Sequence, residues 1–246
     1  VGVTLAYGPD GGVYVSDFSE TGECHHRHNT RKQTGRIYKI TYGKPKPWRG
    51  DIGKLGSVEL AKLQLHPNEW FARHARRVMQ ERTGQALGQA ELVRILTTNG
   101  DTAMRLRALW GLHGTGSLTA KRLTGLLQDK DEHLRAWAIQ LLCENRHPSV
   151  NVRNVLVRLA KADESPLVRL YLASAMQRLP AAQRVPVLAA LLAHAEDASD
   201  PNLPLMYWYA TEPVVAADKK AAVQLLAVCK IPKVRQFITR RMATKE

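Results

Sequence analysis

From Ser57 onward, apolar residues recur at the spacing of one helix face. Leu134, Trp137, Ala138, Leu141 and Leu142 fall at i, i+3, i+4, i+7 and i+8. Val152, Val155, Leu156, Leu159 and Ala160 repeat that spacing, as do Val168, Leu172, Ala175, Met176 and Leu179. Ala222, Leu225, Leu226 and Cys229 hold it once more. Ser165-Pro166 reads as an N-cap followed by proline at the first helical position. Pro148, Pro180 and Pro232 mark further helix boundaries, so roughly ten to twelve short helices are predicted. Before residue 50 the pattern differs. Val3–Tyr7 and Val13–Ser16 are β-prone, Arg36–Tyr42 alternates polar and apolar, and Gly8–Gly12 is a dense turn. The predicted organisation is 1–43 strands, 44–56 linker and 57–246 helical region.

The helices are also periodic. Arg73, Arg105, Arg135 and Arg169 each open a helix, at steps of 32, 30 and 34 residues. A diverged unit follows at Asp200-Pro201, and Val234-Arg235 echoes the pattern. A turn, an Arg and then small residues is the grammar of two-helix repeats. Small residues let helices approach closely, and the Arg can bond carbonyls or acids of the neighbouring repeat. The region resembles the HEAT-repeat class. The tetratricopeptide class shares the period, but its Trp/Gly/Tyr signature is not seen. The expected fold is therefore mainly α: an α-solenoid of HEAT-like helix pairs, preceded by a few β-strands.

Composition narrows the class. The chain has 246 residues, 36 Lys plus Arg against 22 Asp plus Glu, and a formal charge of +14. With 44% hydrophobic residues it is not a disordered chain. The longest apolar-looking stretch, Val185–Ala195, contains Pro186 and His194 and is about half a membrane span, so no transmembrane segment is expected. Three cysteines, Cys24, Cys143 and Cys229, form no Cys-x-x-Cys pair and no disulfide framework. The chain opens on Val1 inside strand sequence, and three strands bury little core alone, so a piece of a longer protein is expected.

The run Gly8–Asp17 resembles a β-propeller blade. Val15–His25 with Thr34–Ile40 resembles the closing blade of large secreted planctomycete proteins, the membrane-bound dehydrogenase-like and haem-binding family. Leu63–Val78 and Asn202–Ala210 with Glu212-Pro213 resemble that family's helical repeats. The resemblance implies the last blade of a propeller, then HEAT-like repeats, in a periplasmic or secreted parent that oxidises a sugar or alcohol and passes electrons on. Phe18 stands where that family more often has Trp, and His26 where Asp is usual. No Cys-x-x-Cys-His occurs, so haem c or quinone would sit elsewhere in the parent and no cofactor is expected in this chain. The implied partners are the propeller and a cytochrome domain of the same parent.

Candidate chemistry is sparse. Cys24, His25 and His28, with His26 and Glu23 beside them, are ligand types for zinc or copper. Adjacent residues on an extended chain point in opposite directions, so a structural loop with solvent-facing histidines is the competing reading. Asp17, Glu20 and Glu23 suit calcium or acid–base work, or simply a turn. Trp110 and Trp137 lie on apolar stripes and read as core. Tyr207-Trp208-Tyr209 cannot share one helix face, so one of them is expected on a surface. Lys219–Lys245 holds eight basic residues and no acid, and Gly22–Arg49 holds eight against Glu23. No catalytic residue is derived. The expected role is a non-catalytic scaffold segment of the dehydrogenase-like parent. The alternative is a basic HEAT-repeat module for nucleic acid or an acidic protein partner.

Overall fold

The computed structural model describes residues 2–17 and 31–244. Among them are three strands and twelve α-helices, so the chain is mainly helical with a small N-terminal sheet, as its periodicity predicts. Two compact units divide it, Val1–Ser117 and Leu118–Glu246.

In the first unit, β1 (Gly2–Tyr7), β2 (Val13–Asp17) and β3 (Ile37–Ile40) form an antiparallel sheet in the order β1-β2-β3. The β1–β2 turn closes through Gly8, whose N–H donates to the Gly12 carbonyl at 2.9 Å. Gly11 takes a φ of 78°, which glycine adopts without steric cost. Register sets Leu5 opposite Val15, Tyr7 opposite Val13, Val15 opposite Tyr38 and Val13 opposite Ile40. Opposed residues, and residues two apart on a strand, share a face. Leu5, Tyr7, Val13, Val15, Tyr38 and Ile40 therefore make one apolar face. It lies open, with Leu5 72%, Ile40 60% and Tyr38 45% exposed.

Helices α1 (Ser57–Lys62), α2 (Glu69–Glu81), α3 (Ala86–Thr98) and α4 (Thr102–Gly114) complete this unit as two helix pairs. Asn68 joins them to the sheet. Its Oδ1 caps α2 by accepting from Trp70 N at 2.9 Å, while its Nδ2 donates to the Gly8 and Pro9 carbonyls at 3.0 and 3.3 Å. Trp48, in the segment after the sheet, packs edge-on against Trp70 and Phe71 at 5.3 Å each. Where α1 meets α3, Gly88 is the contact: a Cβ there would stand 2.6 Å from the Ser57 carbonyl oxygen.

The second unit contains α5 (Ala120–Leu126), α6 (Glu132–Leu142), α7 (Val150–Ala162), α8 (Pro166–Met176), α9 (Ala181–Leu191), α10 (Leu203–Ala217), α11 (Lys219–Val228) and α12 (Pro232–Ala243). They pair as α5/α6, α7/α8, α9/α10 and α11/α12. The second helices α6, α8, α10 and α12 pack side by side as one layer, and α7, α9 and α11 as another. Thr119, Asp131, Ser149, Ser165 and Asp218 cap helix starts by accepting from first-turn N–H groups. Each such cap contributes about 1 kcal/mol. Between the layers Leu134, Ala138, Val168, Leu172, Met176, Leu188, Leu191 and Leu225 are buried. All but Leu188 and Leu191 fall on the predicted stripes, because an amphipathic face is stable only when its apolar side is covered.

Candidate functional site

The repeated arginines brace the second unit. Arg135 donates Nε and Nη2 to the Asp163 carboxylate at 2.8 and 2.9 Å, and Nη1 to the Asp129 carbonyl at 2.9 Å. One repeat on, Arg169 donates Nε to Asp197 at 2.8 Å and Nη1 to the Asp163 carbonyl at 3.0 Å. Burial works against the charge of Arg169, but the bond to Asp197, the charge of that carboxylate and the Tyr207 hydroxyl together outweigh it, leaving its pKa raised. Among the described residues, Arg235 bonds carbonyls alone, those of Leu226 and Cys229, both at 2.8 Å. In the first unit Arg105 donates to the Leu96 carbonyl at 2.8 Å. Bidentate Arg–carboxylate geometry fixes orientation as well as distance, so Arg135 and Arg169 each set one repeat against the next.

Arg73 departs from the expected pattern. It is exposed and lines a cleft of about 450 Å³ with Thr4, Leu5, Ala6, Tyr7, Trp70 and His74. Its place is taken by Arg76 and Arg107, which both pair with Glu69. Arg107 also donates to the Gln64 and His66 carbonyls at 3.2 and 2.9 Å. Arg76 further sits over the Trp110 ring at 5.5 Å. Trp110 and Trp137 are thus only half-buried, where the stripes predicted core. Each stands at the edge of its helix's buried face, with Ala108, Leu109 and Leu112 buried beside Trp110 and Leu134 and Ala138 beside Trp137.

The Tyr207-Trp208-Tyr209 triplet splits as expected. Tyr207 is buried and donates its hydroxyl to Asp197 at 2.6 Å, and burial together with that bond raises its pKa. Trp208 packs against Phe237 of α12 at 5.4 Å. Tyr209 is 54% exposed. It stands in a groove of about 490 Å³ that crosses α6, α8 and α10, with Leu170, Tyr171, Leu205 and Met206 supplying an apolar wall. Gln140, Ser174 and Asn202 add neutral hydrogen-bonding groups. Such a surface offers apolar contact area plus a few orienting polar atoms, which is what a docked protein segment needs.

The candidate ligands Cys24, His25 and His28 lie outside the described residues, as do Glu20 and Glu23. Among the described residues no group of three or more His, Cys, Asp or Glu could hold a metal ion. Cys143 and Cys229 are free and buried. Burial pushes the Cys143 thiol up to about 11 and raises Cys229 as well, so both are poor nucleophiles at neutral pH. No described helix is long and apolar enough to cross a membrane. Sequence reasoning missed Glu69, Asp163 and Asp197, although acids recurring 28 residues after Arg135 and Arg169 were there to be found.

Stacked helix pairs braced by Arg–Asp bonds make a helical-repeat fold with HEAT-like helix pairs. Residues 119–200 match the family of HEAT repeats. No curated protein matches the chain. Among solved structures, it is similar to an engineered protein crystallised by a structural genomics consortium. That likeness has 16% identity, covers 76% of this chain and 94% of the other, and has a TM-score of 0.42.

Proposed function

We propose that this chain is a protein-docking scaffold and that the groove across α6, α8 and α10 is its docking surface. The carrying observation is the exposed Tyr209 beside Leu205, Met206 and Tyr171, on a layer held rigid by Arg135–Asp163 and Arg169–Asp197. A rigid layer presents such a surface without the ordering cost of a flexible one. The test is binding of the full chain to a random-peptide array, with Met206→Asp and Tyr209→Ala beside the unaltered protein. Peptides that bind the unaltered chain and lose binding to both variants, at unchanged melting temperature, support the reading. An array that captures nothing, or captures the variants equally, removes it.

A finer reading makes the scaffold one segment of a secreted, dehydrogenase-like parent in which repeats hold a propeller and an electron acceptor at fixed separation. The open apolar sheet face of Leu5, Tyr7, Val13, Tyr38 and Ile40 supports it, since blade sheets stack face to face. The reading frame on either side of the chain is the test. Further blade motifs upstream and a Cys-x-x-Cys-His downstream support it, and a start codon just before Val1 overturns it.

A further inference from the structure

Each second helix of the Leu118–Glu246 unit carries the same three-residue spacing, i, i+4 and i+7, on its uncovered face. The sets are His133/Trp137/Gln140 on α6, Leu167/Tyr171/Ser174 on α8, Met206/Tyr209 on α10 with Asn202 just before its first turn, and Lys233/Phe237/Arg240 on α12. The middle member is always large, apolar and half-buried. Trp137, Tyr171, Met206 and Phe237 therefore form a stripe at right angles to the helices. The flanking members are neutral polar or apolar over α6, α8 and α10. On α12 both are cations.

Among the described residues, no side chain bonds or pairs with the Lys233 or Arg240 head group of that cationic end. Helix α12 holds Lys233, Arg235, Arg240 and Arg241 and no acid. Arg235 is committed to the Leu226 and Cys229 carbonyls, and Arg241 bonds Glu212 at 3.0 Å. Lys233 and Arg240 are exposed. On the neighbouring α10, Glu212 is taken by Arg241, and before that helix Asp200 accepts from the Asn202 and Leu203 N–H groups at 2.8 Å each.

Resting on the docking reading above, we infer that the partner is an acidic protein segment. A large apolar side chain enters the groove beside Tyr209, and carboxylates lie over Lys233 and Arg240. Helices packed about 8–10 Å apart make the stripe roughly 25–30 Å long, so an extended segment of about eight or nine residues spans it. Charge complementarity at one end fixes its direction. A nucleic-acid strand fits the face less well. It carries a phosphate at every nucleotide, whereas the flanking groups over α6 and α8 are exposed His133 and Ser174 and half-buried Leu167 and Gln140 rather than a line of cations.

The same peptide array tests this, with the Lys233→Glu/Arg240→Glu double variant and Tyr209→Ala, and with a single-stranded DNA oligonucleotide as a separate probe. The expected result is enrichment of peptides with one large apolar residue next to Asp or Glu. Their affinity falls roughly tenfold in the double variant and recovers for peptides with Lys in place of the acids. Enrichment of neutral or basic peptides overturns the acidic partner, as does indifference to the double variant. If Tyr209→Ala still weakens binding in those cases, the groove reading survives. Loss of both sensitivities removes the groove as well. DNA binding tighter than the best peptide, and weakened by the double variant, overturns the inference in favour of nucleic acid.

Discussion

Arg169 and Asp197 form a buried pair across 28 residues of chain, and Tyr207 donates to the same carboxylate oxygen that accepts Arg169 Nε. Arg169 also reaches back to the carbonyl of Asp163, whose carboxylate holds Arg135. The path Arg135, Asp163, Arg169, Asp197, Tyr207 thus links successive helix pairs. Pairs like these add little net stability over an apolar substitute, because burying two charges costs about what their attraction returns. Breaking one half is costly, since a charge is left buried without its partner.

The first prediction follows from that asymmetry. Asp197→Ala is expected to destabilise the second unit by about 3–5 kcal/mol, as it strands Arg169. Tyr207→Phe removes one bond to a charged acceptor and is expected to cost about 1–3 kcal/mol. Arg169→Met with Asp197→Leu should cost less than Asp197→Ala alone. Urea unfolding of the three variants measures this. An Asp197→Ala loss smaller than that of Tyr207→Phe would show that the pair does not bear on stability.

Much of this framework was legible before the structure. The stripe on α8 is buried throughout, and those on α6 and α7 are buried along their centre, at Leu134, Ala138, Leu142, Val152, Leu156 and Ala160, because the apolar side of an amphipathic helix must be covered. The arginine period was equally visible. What escaped was the partner of each Arg, since Asp163 and Asp197 lie in turns before the next helix and look like ordinary cap chemistry. Arg73 misled for a related reason: in α2 the ion pairs are made by Arg76 and, from α4, Arg107, both onto Glu69. The groove was only half legible. Splitting of Tyr207, Trp208 and Tyr209 follows from helical geometry, but Gln140, Ser174 and Asn202 meet only through the packing of three helices.

A second prediction concerns alkaline pH. The Cys143 thiol is fully buried, and desolvation of its thiolate lifts its pKa from 9.0 to about 11. In the unfolded chain the thiol ionises first. Its contribution to stability is therefore complete below about pH 9 and is lost as pH rises through about 11. The loss is of the order of 2–3 kcal/mol when complete. Tyr207 and Cys229 are raised too and act in the same direction, so the contribution of Cys143 is isolated by difference. Between about pH 8 and about pH 10.5, unfolding free energy should fall more steeply in the unaltered chain than in Cys143→Ala. Parallel curves would refute it.

Asn68 gives a third. One side chain both caps α2 and holds the β1–β2 turn, through Trp70 N on one side and the Gly8 and Pro9 carbonyls on the other. Asn68→Ala is expected to cost the first unit roughly 1–2 kcal/mol. Asn68→Asp keeps the cap but turns a donor into an acceptor facing two carbonyls. It should retain α2 protection while loosening the turn. Hydrogen exchange reads the two effects separately, at the Trp70 amide and at the Gly8 and Gly11 amides. Equal behaviour of the two variants at both places would contradict the shared role.

Two helical glycines should respond to the same substitution with opposite sign. In a helix interior, Gly→Ala ordinarily stabilises by about 0.4–1 kcal/mol, because the unfolded chain loses freedom. Gly125, in α5, has nothing within 4 Å of a built Cβ, so Gly125→Ala should show that gain. Gly88, in α3, is different. Its Cβ would meet the Ser57 carbonyl oxygen at 2.6 Å and the carbonyl carbon at 2.9 Å, both backbone atoms that no rotamer change can move. Helix α1 would have to withdraw from α3, and overpacking of this kind costs about 1–3 kcal/mol, more than the propensity gain. Gly88→Ala is therefore expected to lower the melting temperature while Gly125→Ala raises it. If Gly88→Ala also raised it, the close approach of α1 to α3 would not be a feature of the folded protein.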